Sequence, residues 1–487
     1  MKYLIFFTIL YSSFSLNATE TLIQGNAFSY RGKEIEIHRY LDLFTFKSEA
    51  IVSQEILEDG SFKFNVDVVQ TGIFLIKIGK IHAHLFVVPG DQYTIVIPEP
   101  SEIDRFNPAK DIFLQPEIFE STDRLNYHIT KLEQTINSFF IDNTTDSYSL
   151  RSGGGIKSLA DSLMPKLKEQ FADVESPYFQ EHFHFRLAEF ELSTRHSRQS
   201  VYEKYFKENK PAFNQLSFAN AFKTFYNDYM SPRSTMHFSD SVESSINQIN
   251  LERLSAYLST DPYLTQPEYL NLLMVTELYE LGREKIYPAS TIITLLDQIQ
   301  VKANSSELSA LIMDSKAILL RLAPGTRAPD FVFADVVGNL YRISEYEGSH
   351  IYIQFFDEFD AETVRQMSLM KVLREGYGSD IAMFSFSTSE SLKRLRDIPS
   401  KHDFDWFFGK VGTPDKVIDD YELRAMPEYF FLDEELKFIC NPTPPPGGRI
   451  ERMFAKVWNK KHPNKMMPFK LQPPTVEEPD MGAASEK

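Results

Sequence analysis

Along the first hundred residues, polar and apolar positions alternate with a period of two. Glu34-Ile35-Glu36-Ile37-His38 reads this way, as do Phe62-Lys63-Phe64-Asn65-Val66-Asp67-Val68 and Thr94-Ile95-Val96-Ile97. That period sends successive side chains to opposite faces, so each run predicts a strand with one apolar face on a core and one polar face in solvent. Asp59-Gly60 reads as a hairpin turn after Ile56-Leu57, and Gly90-Asp91 turns the chain into the third run. Residues 19–104 are expected to form a small antiparallel β domain of sandwich type.

Between about 105 and 322 the spacing becomes helical. Leu159, Leu163, Leu167 and Phe171 recur at four-residue intervals, and Leu270, Leu273, Met274, Leu278 and Leu281 outline a second stripe. Breaks fall at Gly153-Gly154-Gly155, Ser231-Pro232 and Tyr287-Pro288. Eleven Phe and Tyr residues lie between Phe183 and Tyr226. Because they follow the helix spacing, core packing is expected of them before a partner-binding face. Beyond Ala323 short runs alternate in type: Val332–Val336, Leu340–Ile343, Ile351–Phe356 and Ile381–Phe386 read as strands, and Val364, Met367, Met370 and Leu373 as the core stripe of a helix. Glu428–Leu432 and Leu436–Cys440 read as a hairpin around Asp433-Glu434-Glu435, followed by a helix from about Arg449 to Trp458. Such an order describes a mixed sheet covered on both faces. The expectation is a multidomain chain: an N-terminal β domain, a helical middle region and a C-terminal α/β domain at 323–463.

Composition narrows the functions open to it. The 487 residues are enough for about three domains at roughly 150 residues each. Fifty-one Lys and Arg against 68 Asp and Glu leave a formal charge of −17, with no basic patch, which disfavours nucleic acid as a partner. A single cysteine, Cys440, excludes an intramolecular disulfide, a CxxC pair and a multi-cysteine zinc site. Residues 1–18 have the layout of a secretory signal peptide: Met1-Lys2, an apolar run from Tyr3 to Leu10, then Ser12, Ser13, Ser15 and Ala18. Export is expected, to the periplasm or envelope or as a secreted protein, without an integral membrane segment, because no apolar run approaches the ~20 residues of a span. Residues 464–487 read as a disordered tail, and Pro442 to Gly448 as a semi-rigid loop.

Two histidine pairs invite a metal reading. His82 and His84, two apart on a strand, project from one face and could share an ion, but no third ligand is nearby in sequence. His182 and His184 diverge by about 200° around a helix. Ordinary satisfied or solvated histidines are expected at all four positions, with no metal and no cofactor.

Ala328-Pro329-Asp330-Phe331, the Gly338 turn, Gly348 and Met426-Pro427-Glu428-Tyr429-Phe430-Phe431-Leu432-Asp433 together resemble the landmarks of thioredoxin-like proteins of the TlpA/ResA group. The resemblance spans about 140 residues, and Asp59-Gly60-Ser61-Phe62 is similar, more weakly, to β domains placed ahead of such modules in envelope proteins. It implies that the two redox cysteines of the family fall on Asp360 and Thr363, that Phe356 and Phe359 take the places of two tryptophans, and that Met426-Pro427 is the cis-proline corner. Dithiol exchange needs one thiolate to attack and a second thiol to resolve, and Asp360-Ala361-Glu362-Thr363 supplies neither. Cys440, at a strand end, reads as a structural cysteine. Asp360 is expected instead to cap the following helix through the Glu362 or Thr363 N–H. The acidic run Asp357, Glu358, Asp360 and Glu362 lacks the pattern of a calcium loop and reads as capping and solvated charge.

No catalytic residue is expected. Phe359, Met426 and Pro427 are the candidate peptide-binding residues, since such a corner accepts extended chains by strand-like pairing. The function expected is that of a redox-inactive thioredoxin-like envelope protein that binds a protein or extended peptide, as scaffold or chaperone. The alternative is a thiol–disulfide oxidoreductase or peroxidase of the TlpA group acting through Cys440. A hydrolase built on the acidic run lacks a legible nucleophile and base.

Overall fold

The computed structural model describes residues 18–101, 111–120, 122–144, 155–231, 240–303, 305–423 and 426–464. The segment expected to be a signal peptide, up to Asn17, the Gly153-Gly154 break, Pro232 and the expected tail from Lys465 lie outside the described residues. The chain divides into two compact units, Met1–Leu319 and Leu320–Lys487. No helix among the described residues is long and apolar enough to cross a membrane.

The first unit opens with nine strands: β1 (Thr19–Asn26), β2 (Glu34–Tyr40), β3 (Ser48–Glu55), β4 (Ser61–Val68), β5 (Gly72–Ile78), β6 (Ile81–Val87), β7 (Gln92–Val96), β8 (Ile112–Phe113) and β9 (Glu117–Glu120). They form two sheets, ordered β4-β1-β7-β9 and β3-β2-β5-β6-β8. On β4, Phe62, Phe64, Val66 and Val68 are buried while Lys63, Asn65 and Asp67 are exposed. These meet Ile23, Ile35, Ile37, Tyr93 and Ile95 in one core, as the period of two requires.

Three details differ from the sequence expectation. The domain is not purely antiparallel, for β1 runs parallel to β7 and β6 to β8. Alternation fixes which side chains point inward and carries no information about the direction of a neighbour distant in sequence. Asp59-Gly60 makes no hairpin; it carries the chain from β3 in one sheet to β4 in the other. Gly60 has φ +82°, and a Cβ there would stand 2.6 Å from the Phe28 Cα, so the crossing requires glycine. The stretch read as helical from 105 also contains β8 and β9, sheet-edge strands of two and four residues, too short to print a period.

Helices follow from Leu125–Thr144 onward. On Gly155–Gln170 the buried stripe is Ala160, Met164 and Leu167, while Leu159 is exposed. A strict four-residue spacing drifts off a face that repeats every 3.6 residues. The aromatic run is core: Phe190, Phe206, Phe218 and Phe225 have no exposed surface, Phe206 and Phe218 both pack on Phe185, Phe206 also packs on Phe225, and Phe190 packs on Phe139 and Phe140. A docking face made of these rings is thereby excluded.

Within the helices, the Glu277 carboxylate accepts a hydrogen bond from the Met230 N–H at 2.8 Å. Burial, with Asp228, Glu280 and Glu284 adding repulsion, raises its pKa to about 7. The folded chain therefore holds a proton that the unfolded chain releases above about pH 4.5. The stability present at low pH falls as pH rises through about 7, by on the order of 3 kcal/mol. Urea midpoints at pH 4.5 and 7.5 should differ accordingly, and Glu277→Gln should flatten that dependence.

The second unit carries β10 (Val332–Asp335), β11 (Leu340–Arg342), β12 (His350–Phe356), β13 (Ile381–Ser387), β14 (Phe407–Val411), β15 (Glu428–Leu432) and β16 (Phe438–Cys440) in one sheet, ordered β11-β10-β14-β13-β12-β15-β16. The central strands β12, β13 and β14 are mutually parallel, and β15 runs against β12. Both faces are buried. Ile351, Ile353 and Phe355 join Phe384 and Phe386 on one, and Tyr352 and Phe356 join Met383 on the other. The helix Ala361–Tyr377 places Met367, Met370 and Leu373 on the second face together with Phe454 and Trp458 of the helix Ile450–Lys461. Strand β14 and the helices Leu392–His402 and Pro414–Asp420 went unread in the sequence.

Candidate functional site

The site sits where β12 ends and the helix Ala361–Tyr377 begins. Sheet interior forces Phe355 and Phe356 inward, after which Asp357 leaves the ladder and the chain turns to Asp360. Asp360 is the N-cap: its backbone is extended (φ −80°, ψ 176°), and its carboxylate accepts from the Thr363 N–H at 2.7 Å. Asp360 is exposed and Thr363 is buried. The anion thus occupies the positive end of the helix dipole.

Two more carboxylates of the acidic run, Glu362 and Asp357, are paired within the protein, and Glu358 is exposed. Glu362 accepts from Arg365 at 2.7 and 2.8 Å and from Gln366 at 2.8 Å, and these donors pull its pKa down to about 2. Asp357 accepts from the Thr388 hydroxyl at 2.9 Å. Among the described residues, no three His, Cys, Asp or Glu side chains converge as a metal site. In the first unit, the His82 and His84 rings both flank Phe113 at 5.2 Å, and His84 Nε2 lies 2.8 Å from the Tyr40 hydroxyl. His182 is buried, and His184 Nε2 lies 3.2 Å from the Asn209 amide nitrogen, so the helical pair diverges as its spacing requires.

Phe359 is half-buried and leans on Phe356, ring centroids 4.7 Å apart. The Met426-Pro427 peptide bond is cis, and both residues are half-buried at the start of β15. What joins the two positions is the loop Ser387-Thr388-Ser389-Glu390 after β13, which the sequence reading missed. Ser387 and Ser389 donate their hydroxyls to the Asp357 carbonyl at 3.1 and 2.8 Å, and the Phe359 N–H donates to Glu390 at 3.4 Å. Thr388 Oγ1, bound to Asp357, also lies 3.7 Å from Met426 Sδ. A run of three hydroxyls straight after a buried strand was the available signal.

Beneath this loop runs a buried polar chain. Trp406 Nε1 donates to Ser385 Oγ at 2.9 Å, Ser385 Oγ donates to Gln354 Oε1 at 2.8 Å, and Gln354 Nε2 donates to the Tyr429 hydroxyl at 3.1 Å. It ties β13, β12 and β15 together below the site with its members satisfied. Cys440 stands apart at the end of β16, half-buried, with its sulfur 3.7 Å from Thr443 Oγ1 and 3.6 Å from Met453 Sδ. Burial raises its pKa, the opposite of what an attacking thiolate needs.

The family landmarks have physical roles here. Asp330 accepts from the Ser344 N–H and from Arg342, at 3.1 and 3.0 Å, and Phe331 packs at 5.2 Å from Phe386. Gly338, at φ +105°, turns β10 into β11 while Asp335 Oδ1 accepts from three successive N–H groups. Thiol–disulfide oxidoreductase ResA of Geobacillus kaustophilus is 25% identical over 125 residues, 25% of this chain and 71% of its own. The similarity to thioredoxin-like thiol–disulfide oxidoreductases thus covers about a quarter of this chain. ResA of Geobacillus thermodenitrificans is 23% identical over 117 residues, 24% of this chain and 67% of that one. Among solved structures, a thiol:disulfide interchange protein from a Bacteroides species is similar over 29% of this chain and 91% of its own, at 15% identity and a TM-score of 0.26. The thioredoxin domain of a thiol–disulfide oxidoreductase from Bacteroides vulgatus is similar over 28% of this chain and 98% of its own, at 16% identity and a TM-score of 0.25. No family model matches the chain. At the two positions where the resemblance implies a thiol pair, this chain has an N-cap carboxylate, Asp360, and a buried hydroxyl, Thr363.

Proposed function

We propose that the thioredoxin-like unit is a redox-inactive binding module that holds an extended peptide or protein segment in the cell envelope, where the leader-like residues 1–18 would deliver it. One observation carries this reading: the Asp360 carboxylate, hydrogen-bonded to the Thr363 N–H at 2.7 Å, fills the helix N-terminus at which thiol exchange would need a thiolate. The half-buried Phe359 and Met426, each touched by the Ser387–Glu390 loop, and Pro427 beside Met426 offer apolar surface near the start of β15. An extended segment can add main-chain pairing at such a corner while its side chains meet those residues.

The test compares the full chain with a Phe359→Glu variant. Each is immobilised and exposed both to envelope fractions and to a fluorescently labelled, permanently unfolded polypeptide. A charge introduced at Phe359 should weaken capture by about tenfold or more, the equivalent of about 1.4 kcal/mol. Equal capture by both forms would remove the groove from the account. Many extended clients would mark a chaperone-like module, and one stoichiometric protein a scaffold.

A further inference from the structure

A cavity of about 500 Å³ in the first unit opens between β6, the helix Leu125–Thr144, the helix Pro177–Ser193 and the helix Leu216–Phe225. Two buried polar groups in its wall are left unsatisfied by the fold. His182 is 5% exposed, and neither of its ring nitrogens has a hydrogen-bond partner among the described residues. Ser217 is 1% exposed, and its hydroxyl is likewise without one. Groups of this kind cost stability unless something bonds to them, and a wall selected for packing alone would be apolar there. Gln134, Asn137 and Asn220 add amides to the same wall.

Its electrostatics select the ligand. The Arg186 fork donates to Glu133 at 2.7 and 3.1 Å, and its remaining nitrogen lies 3.4 Å from Glu189. The one guanidinium is already engaged by two carboxylates, so the wall carries a carboxylate in excess. Burial holds His182 down to about 3 and the neighbouring His84 down to about 4, leaving both rings neutral at ordinary pH. An anionic ligand meets repulsion, and an apolar one would leave the amides and the imidazole unpaired. Hydroxyl groups, each donor and acceptor at once, satisfy such a mixed wall, while Phe86 and Ile129 offer apolar surface to the carbon-bound face of a ring.

We propose that this cavity binds an uncharged polyhydroxylated small molecule, a sugar of one or two rings, held through His182 and Ser217. The proposal stands apart from the peptide-binding reading of the second unit. Calorimetric titration of the full chain with glucose, N-acetylglucosamine and maltose, and with glucose 6-phosphate as the anionic counterpart, tests it. At least one neutral sugar should saturate a single site in the millimolar range or tighter, with the phosphorylated sugar about tenfold weaker or more. His182→Phe should weaken that binding by about tenfold. Because His182 is buried, Asn220→Leu on the half-buried part of the wall is made in parallel and should weaken binding with little change in melting temperature. Absence of binding by all three neutral sugars would overturn the proposal. So would equal binding of glucose 6-phosphate, or unchanged affinity in both variants.

Discussion

The double variant Asp360→Cys, Thr363→Cys, made in a Cys440→Ser background, is expected to form a reversible disulfide and to catalyse the reduction of insulin by dithiothreitol. The unaltered chain and the Cys440→Ser single variant should stay at the uncatalysed rate. Positions 360 and 363 have a geometry that exchange between two thiols could use. Asp360 is exposed at the helix N-cap and Thr363 is buried one turn on, an arrangement suited to one attacking and one resolving thiol. Positions three apart in a first helical turn lie about 5–6 Å from each other, within the span of a disulfide. A thiolate at position 360 would meet the N–H that the carboxylate now uses, which should bring its pKa from about 8.5 toward 7. Losing the carboxylate cap costs about 1 kcal/mol, which the thiolate partly restores. Titration of the thiols against a glutathione buffer, together with the insulin assay, reads the result. A double variant that forms the disulfide yet stays inactive would mean that more than two side chains separates this chain from its thioredoxin-like relatives, and would weaken the peptide-corner reading as well.

Truncating Phe386→Ala should produce the largest loss of stability, about 3–5 kcal/mol. Phe386 has no exposed surface and packs within 4.6 Å of Phe333, 5.2 Å of Phe331 and 5.9 Å of Phe355, ring centroid to ring centroid. No single neighbour can swing into the space, because each of those rings is held by others. Domains of ordinary stability have about 5–15 kcal/mol in all, so the variant should unfold at a markedly lower urea concentration. Both tryptophans of the chain, Trp406 and Trp458, lie in the second unit. Trp406 donates to Ser385, the residue before Phe386, so its fluorescence reports this unit directly. An unchanged midpoint would mean that the aromatic cluster is far less tightly packed than the ring distances indicate.

How much of this was legible depended on whether a feature was local. The capping role of Asp360 followed from one residue type ahead of a helical stripe, and the cis geometry at Pro427 was only implied by the resemblance to thioredoxin-like proteins. The loop Ser387–Glu390, which joins the two halves of the site, was invisible because its hydroxyls bond to a carbonyl thirty residues away in sequence. Strand β14 was missed for a related reason: Phe407-Phe408-Gly409-Lys410-Val411 has no alternation, and it is a strand through pairing with β13 and β10. Leu159 was assigned inward by a four-residue spacing, and packing of the real 3.6-residue helix turned it out.

By itself the sequence determined the strands and helices that print a clear period and which cysteine chemistry is closed, because periodicity and the presence of sulfur are properties of the chain alone. Tertiary structure alone decided which strands run parallel, that Thr388 brings Asp357 to Met426, and that His182 and Ser217 line a polar cavity without partners. Those facts rest on groups far apart in sequence meeting in space, and hydrogen bonding and burial act on the meeting, not on the spacing.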